Sequence, residues 1–150
     1  MAQVKIIDTP QLLEQAFKVR RLVFVDEQKV DEREEYDEFE TSATHLAAIN
    51  NGELVGTSRF RKTDKGVKLE RFAVLKEYRG TGVGMQLLQA ALQEILTKYP
   101  KDTYTYYLHS QEAAISFYRK AGFQAIGERF YEANIPHFKM VYNHSLAQRL

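Results

Sequence analysis

The chain has 150 residues, a formal net charge of +1 at pH 7 and an apolar share ordinary for a globular protein, a length that suits one domain. It contains no cysteine, which excludes a disulfide framework, a thiolate metal site and a cysteine nucleophile. No apolar run approaches the roughly 18 residues of a membrane span and no signal-peptide core opens the chain, so a cytoplasmic protein is expected.

Val4 to Ile7 reads as a short first strand. Thr9-Pro10 then opens a helix, with Thr9 as N-cap and Pro10 at the first helical position. Leu12, Leu13, Ala16, Phe17, Val19 and Val23 give that helix an apolar stripe. Residues 26–40 follow as a helix-or-loop region with nine acids against Lys29 and Arg33. That segment carries a charge of −7, leaving +8 on the rest of the chain. A basic body suits a polyanionic ligand, and an acidic patch suits a cationic substrate; a solvated acidic loop is the alternative.

His45 to Ile49 and Leu54 to Arg61 read as a hairpin around the turn Asn50–Glu53. Val67 to Leu75 is a further strand after the turn at Asp64-Lys65-Gly66. Val83, Leu87, Leu88, Ala91, Leu92, Ile95 and Leu96 then recur at helical spacing up to Pro100. Tyr104 to Leu108 is a strand, and Glu112 to Ala121 a short helix stopped by Gly122. Phe123 to Ile126 and Phe138 to Tyr142 are the last strands. No repeat or linker divides the chain, so residues 1–150 are expected to form one α/β domain: a mixed sheet with helices on both faces.

Between the third strand of the meander and the long helix runs Arg79-Gly80-Thr81-Gly82-Val83-Gly84. Unpaired N–H groups at a helix start, glycines that let an oxygen approach, and an arginine at the mouth are what a phosphate requires. A dinucleotide fingerprint needs a glycine where Met85 stands, and a Walker loop needs Gly-Lys-Ser/Thr; neither is present.

The Arg-x-x-Gly-x-Gly pattern resembles motif A of the GNAT acetyltransferase superfamily. Phe72-Ala73-Val74 stands before it at the family's spacing. Ala114-Ile115-Ser116-Phe117-Tyr118-Arg119-Lys120-Ala121-Gly122-Phe123 is similar to a second family segment, so the resemblance spans roughly residues 45–142. The run Arg20 to Gln28 with its acidic sequel, and the segment Ile135-Pro136-His137-Phe138-Lys139-Met140, resemble an ElaA-like and YjcF-like branch; the latter segment is also similar to one in glyphosate N-acetyltransferases.

The resemblance implies a six- to seven-stranded, mostly antiparallel sheet and a single N-acetyltransferase domain. It implies acetyl-CoA as cosubstrate, its pyrophosphate on Arg79–Gly84 and its pantetheine arm along Phe72, Ala73 and Val74. The backbone N–H of Val74 would polarise the acetyl carbonyl. Ser110 and Gln111 stand where many relatives carry a cofactor-binding asparagine, and Lys120 would reach the 3′-phosphate, with plain helix surface as the alternative. Arg20, Glu27 and Gln28 would line the acceptor side.

Acetyl transfer to an amine needs a base and a proton for the departing thiolate. Tyr118 is the candidate acid, against a reading as an aromatic core residue. His137 is the leading base and Glu70, on a strand face with Phe72 and Val74, its competitor; a surface histidine and a salt-bridged carboxylate are the respective alternatives. His45 and His109 read as packed or capping, and His144 as tail. No metal spacing is present. The expected acceptor is an amine of a small molecule or peptide, with a slight preference for a cationic compound. A non-catalytic CoA-binding sensor of the same fold is the alternative. No Lys/Arg run suggests nucleic acid, no membrane partner is expected, and monomer and homodimer both stay open.

Overall fold

The structure is a computed structural model that describes residues 2–143; His144 lies outside them. Seven strands form one sheet in the order β1-β2-β3-β4-β5-β7-β6. They are β1 (Gln3–Ile6), β2 (Thr44–Asn50), β3 (Glu53–Thr63), β4 (Gly66–Val74), β5 (Tyr106–Gln111), β6 (Phe123–Glu132) and β7 (Ile135–Tyr142). Only β4 and β5 pair in parallel; the other neighbours are antiparallel.

Alternation along the strands sorts two apolar faces. Leu46, Ala48, Val55, Phe60, Val67 and Leu69 point to one side, where α3 (Val83–Lys98) covers them with Leu87, Leu88, Ala91 and Ile95. Each large side chain buried there stabilises the fold by about 1.5–3 kcal/mol. On the other face Ala47, Leu54 and Ala73 meet Ala16, Val19 and Val23. These come from α1 (Pro10–Arg20), whose Thr9 cap accepts from the Leu12 N–H at 3.2 Å, and from the π-helical turn Arg21–Glu27 that follows it.

The acidic region divides in two. It holds the end of the π-helical turn and the short α2 (Glu32–Glu35); Asp26, Glu27, Asp31, Glu32, Glu34 and Glu38 are exposed to solvent, whereas Glu35, Asp37 and Glu40 are taken up by Arg20, Arg59 and Arg71. The last two strands run longer than their apolar content implies, because the β6–β7 hairpin projects largely into solvent. His137 thereby sits in a strand rather than a loop.

Two features open the sheet at its middle. The β4–β5 ladder ends at Leu69↔Leu108, and beyond it the strands diverge. The β3–β4 register slips between Thr57 and Arg59, where Arg71 takes φ 59°. This bulge inserts one residue. Phe72 and Val74 therefore join Val67 and Leu69 on the α3 face, while Glu70 points the other way; the expected common face of Glu70, Phe72 and Val74 does not form.

Candidate functional site

The glycine loop precedes α3 as a cradle. Gly80 and Gly82 have φ of 78° and 94°, left-handed values that favour glycine. A Cβ added at either would meet nothing within 4 Å, so the space above the helix start is open to an anion. Gly84 serves packing instead: a Cβ there would lie 3.3 Å from the Phe117 ring. Thr81 turns its hydroxyl to the Tyr78 carbonyl, and the Val83 side chain is buried in the core. Only their backbone belongs to the cradle.

A cavity of about 510 Å³ begins at this loop and is lined by Phe72, Val74, Arg79, Gly80, Gly82, Gly84, Phe117, Tyr118 and Lys120. A second, of about 540 Å³, fills the gap between the diverging β4 and β5. It is lined by Gln28, Glu35, Lys68, Glu70, Arg71, Ala73, His109, Gln111, Glu132 and His137. Phe72, Val74, Arg79, Ala114 and Tyr118 line both.

Tyr118 sits on the short helix α4 (Ile115–Lys120), edge-on to Phe72 at 5.7 Å and to Phe123 at 6.3 Å. Burial pushes its phenol well above the ordinary value, so it stays protonated and can donate. The His137 ring is held at Nδ1, 2.7 Å from the Ile135 carbonyl. A carbonyl only accepts, so Nδ1 carries the hydrogen and Nε2 of the neutral ring is a free lone pair. Gln28 reaches the larger cavity and accepts from Gln111 Nε2 at 2.8 Å.

Several expected site residues have other occupations. Arg20 is 1% exposed and does not line the cavity; it bonds Glu35 at 2.7 Å and Glu40 at 2.6 and 2.9 Å. A buried guanidinium needs carboxylate partners, and the neighbouring α2 region supplies them. Glu27 pairs with Arg79 instead of facing the cavity. Ser110 is buried, donates to the Gln111 carbonyl at 2.8 Å and lines neither cavity.

Glu70 lines the cavity but is clamped by Arg59, Arg61 at 2.9 Å and Lys68 at 3.2 Å. Burial alone would raise its carboxyl; the Arg59 charge, the Arg61 hydrogen bond and Lys68 bring it down to about 2. A carboxylate so strongly stabilised as an anion is a weak proton acceptor. Glu35 Oε2 and Ser58 Oγ are buried without a hydrogen-bond partner among the described residues.

His109, Glu132, Lys68 and Arg71 escaped the sequence reading as cavity residues. His109 and Gln111 share one face of β5, a period of two visible in the sequence; Glu132 is brought in by the β6–β7 hairpin, which runs beyond Ile126. Among the described residues, no group of three or more His, Cys, Asp or Glu could hold a metal ion, and no helix is long and apolar enough to cross a membrane.

The family model of the acetyltransferase (GNAT) domain matches residues 10–144. The chain is 39% identical to the Bacillus subtilis protein YyaT over 91% of its own length and 93% of that protein's. It is 37% identical to the uncharacterized N-acetyltransferase YjcF of the same organism, over 91% and 96%. The crystal structure of Escherichia coli ElaA superposes with a TM-score of 0.85 at 26% identity, covering 95% of this chain and all of that one.

Proposed function

The chain belongs to the GNAT acetyltransferase family, and from that premise we propose that it moves the acetyl group of acetyl-CoA to a primary amine of a small molecule or peptide, by direct attack with both substrates bound. The observation that carries this reading is the wall shared by the two cavities. One cavity holds the open glycine cradle and Lys120, which suit phosphates; the other holds a histidine with a free lone pair. They meet at Phe72, Val74 and Tyr118.

Acetyl-CoA supplies the activated acyl group as a thioester. The loop Gly80–Gly84 holds its pyrophosphate through backbone N–H groups, Lys120 takes the 3′-phosphate, and the β4 backbone at Phe72, Ala73 and Val74 lines the arm. The N–H of Val74 orients the acetyl carbonyl. His137 Nε2 takes a proton from the amine, and Tyr118 returns one to the thiolate. The depressed carboxyl of Glu70 favours His137 over Glu70 as base. Glu70 instead fixes Arg59, Arg61 and Lys68 below the acceptor cavity.

The test is incubation with acetyl-CoA and a panel of small primary amines and peptides, reading free thiol and the mass of the acetylated product. Amine-dependent thiol release with a matching 42-dalton product, an ordinary acetyl increment, is expected. Tight CoA binding with no turnover of any amine would favour a sensor built on the same fold.

A further inference from the structure

The chemistry above leaves a carboxylate in the acceptor cavity unassigned. Glu132 Oε1 lies 2.7 Å from His109 Nδ1, and its Oε2 lies 3.9 Å from His137 Nε2. All three side chains line the larger cavity. Phe130, directly opposite His137 in the β6–β7 register, stacks on that ring at 27° and meets His109 edge-on at 5.0 Å.

The hairpin turn builds this arrangement. Ala133 and Asn134 have φ of 50° and 62°, as a two-residue turn matched to the strand twist requires. Alanine is strained there, since its Cβ opposes the left-handed region. The turn sets Glu132 opposite Ile135. One side of it thus provides the carbonyl that fixes His137 Nδ1, and the other the carboxylate that faces Nε2.

The gap between Glu132 and His137 has an unusual chemistry. Carboxylate oxygens accept, and the lone pair of neutral Nε2 also accepts. At 3.9 Å the two are beyond hydrogen-bond reach of one another. Desolvation would raise the Glu132 carboxyl, but the His109 hydrogen bond and charge, with Lys68 and a protonated His137, hold it below its ordinary value; it is an anion at neutral pH. Lys68 is itself bound to Glu70, and Arg71, the other strand cation on this cavity, to Asp37 and the Glu35 carbonyl. A group with several donors and a positive charge complements both acceptors at once.

We infer that Glu132 and His137 Nε2 form the docking subsite for the acceptor's primary ammonium, with His109 as the positioning residue that aims Glu132. The inference rests on the N-acetyltransferase reading of the cavity. One ammonium N–H points to Glu132 and another to Nε2. Transfer of the latter proton breaks an N–H bond on the substrate and forms one on the imidazole. The amine lone pair is thereby freed for attack, and Glu132 stabilises the imidazolium beside it.

Glu132→Gln keeps the shape and removes the charge. It should raise the KM for the best amine of the panel at least about tenfold, the loss of one charge-assisted hydrogen bond, with the acetyl-CoA KM changed less than about twofold. Glu132→Asp should recover part of the affinity. An amine KM unmoved by Glu132→Gln overturns the subsite. A second readout needs no turnover: histidine ring NMR under methylammonium chloride, against potassium chloride at equal ionic strength. A His137 response present in the parent protein and lost in Glu132→Gln supports the subsite; the same response in both, or none in either, overturns it. Should no amine on the panel be acetylated, the N-acetyltransferase reading fails while this ring titration still decides the ammonium site.

Discussion

Arg79 lays both arms of its guanidinium on Glu27, each at 2.9 Å, and its Nε on the Val74 carbonyl at 3.0 Å. The pair ties the glycine loop to the turn that follows α1. An anion arriving at the loop competes with Glu27 for the same guanidinium. An exposed pair is worth about 0.2–1 kcal/mol, so Glu27→Gln should tighten CoA binding by about 1.5- to 5-fold. Arg79→Ala should weaken it about tenfold or more. Titration calorimetry with CoA reads both, and weaker binding in Glu27→Gln would show that the pair pre-shapes the loop instead.

Tyr118 stands on the wall common to both cavities, with its phenol held in the protonated form by burial. Tyr118→Phe keeps the ring against Phe72 and removes only the hydroxyl. It should lower kcat by about 10- to 1,000-fold with CoA affinity nearly unchanged. Full turnover in this variant would remove Tyr118 from the role of acid.

His137→Ala should reduce kcat/KM most near neutral pH, where the amine is still largely protonated while an imidazole can accept its proton. Near pH 9.5 the deficit should shrink, because more of the amine is already neutral. A deficit equal at both ends of the pH range would make His137 a positioning group.

Arg20 and Glu35 are each 1% exposed in their side chains and lie 2.7 Å apart. Removing Arg20 leaves the buried Glu35 carboxylate with only the longer Arg71 contact at 3.5 Å, so Arg20→Met should destabilise the fold by about 3 kcal/mol or more. Urea unfolding followed by circular dichroism measures this. Arg20→Met combined with Glu35→Gln should recover part of the loss; no recovery would mean that the arginine acts mainly through Glu40.

Acid should weaken the same region. Folded Asp37 and Glu70 are held at about 2, against ordinary values of 3.8 and 4.5. Burial opposes this for both, while Arg59 bonds and the surrounding cations outweigh it. The unfolded chain therefore binds more protons than the native one from about pH 4.5 down to 2, and stability falls as pH drops through that window. His45, lowered chiefly by burial, takes up its proton less readily in the fold than in the unfolded chain, which adds an earlier, shallower decline as pH drops through its ordinary 6.5. Urea midpoints at pH 7, 5 and 3 should decrease in that order, most steeply below 4.5; a rise between pH 5 and 3 would contradict the ion pairs.

Most elements were legible because their signals are local. The Thr9 cap with Pro10 and the 3.6-residue stripe from Val83 to Ile95 are each written within a few turns of chain. The glycine loop was equally local. The bulge at Arg71 was not: strict alternation puts Glu70 with Phe72, and an arginine with positive φ carries no mark such as glycine would. The occupations of Arg20 and Glu27 were hidden for another reason. Their partners lie 15 to 52 positions away, and a count of charges cannot separate a solvated acid from a paired one. Glu132 was hidden because Gly127, with φ 75° at a register shift, breaks the alternation after Ile126 and separates Phe130 and Tyr131 from the apolar run before it.

Residues 34–40, of which Glu34 and Glu35 line the acceptor cavity, are fastened to α1 and the sheet mainly through Arg20, Arg59 and Arg71, whereas α3 is fastened by aliphatic side chains. These two kinds of fastening answer to different surroundings. Apolar burial weakens on cooling, while the penalty for desolvating ions shrinks on warming, and salt screens the partly exposed pair of Arg71 with Asp37 more than any leucine contact. The body of the protein and this edge of its acceptor cavity therefore answer differently to temperature, and ionic strength acts on the Arg71–Asp37 contact while the buried Arg20 and Arg59 pairs are screened little.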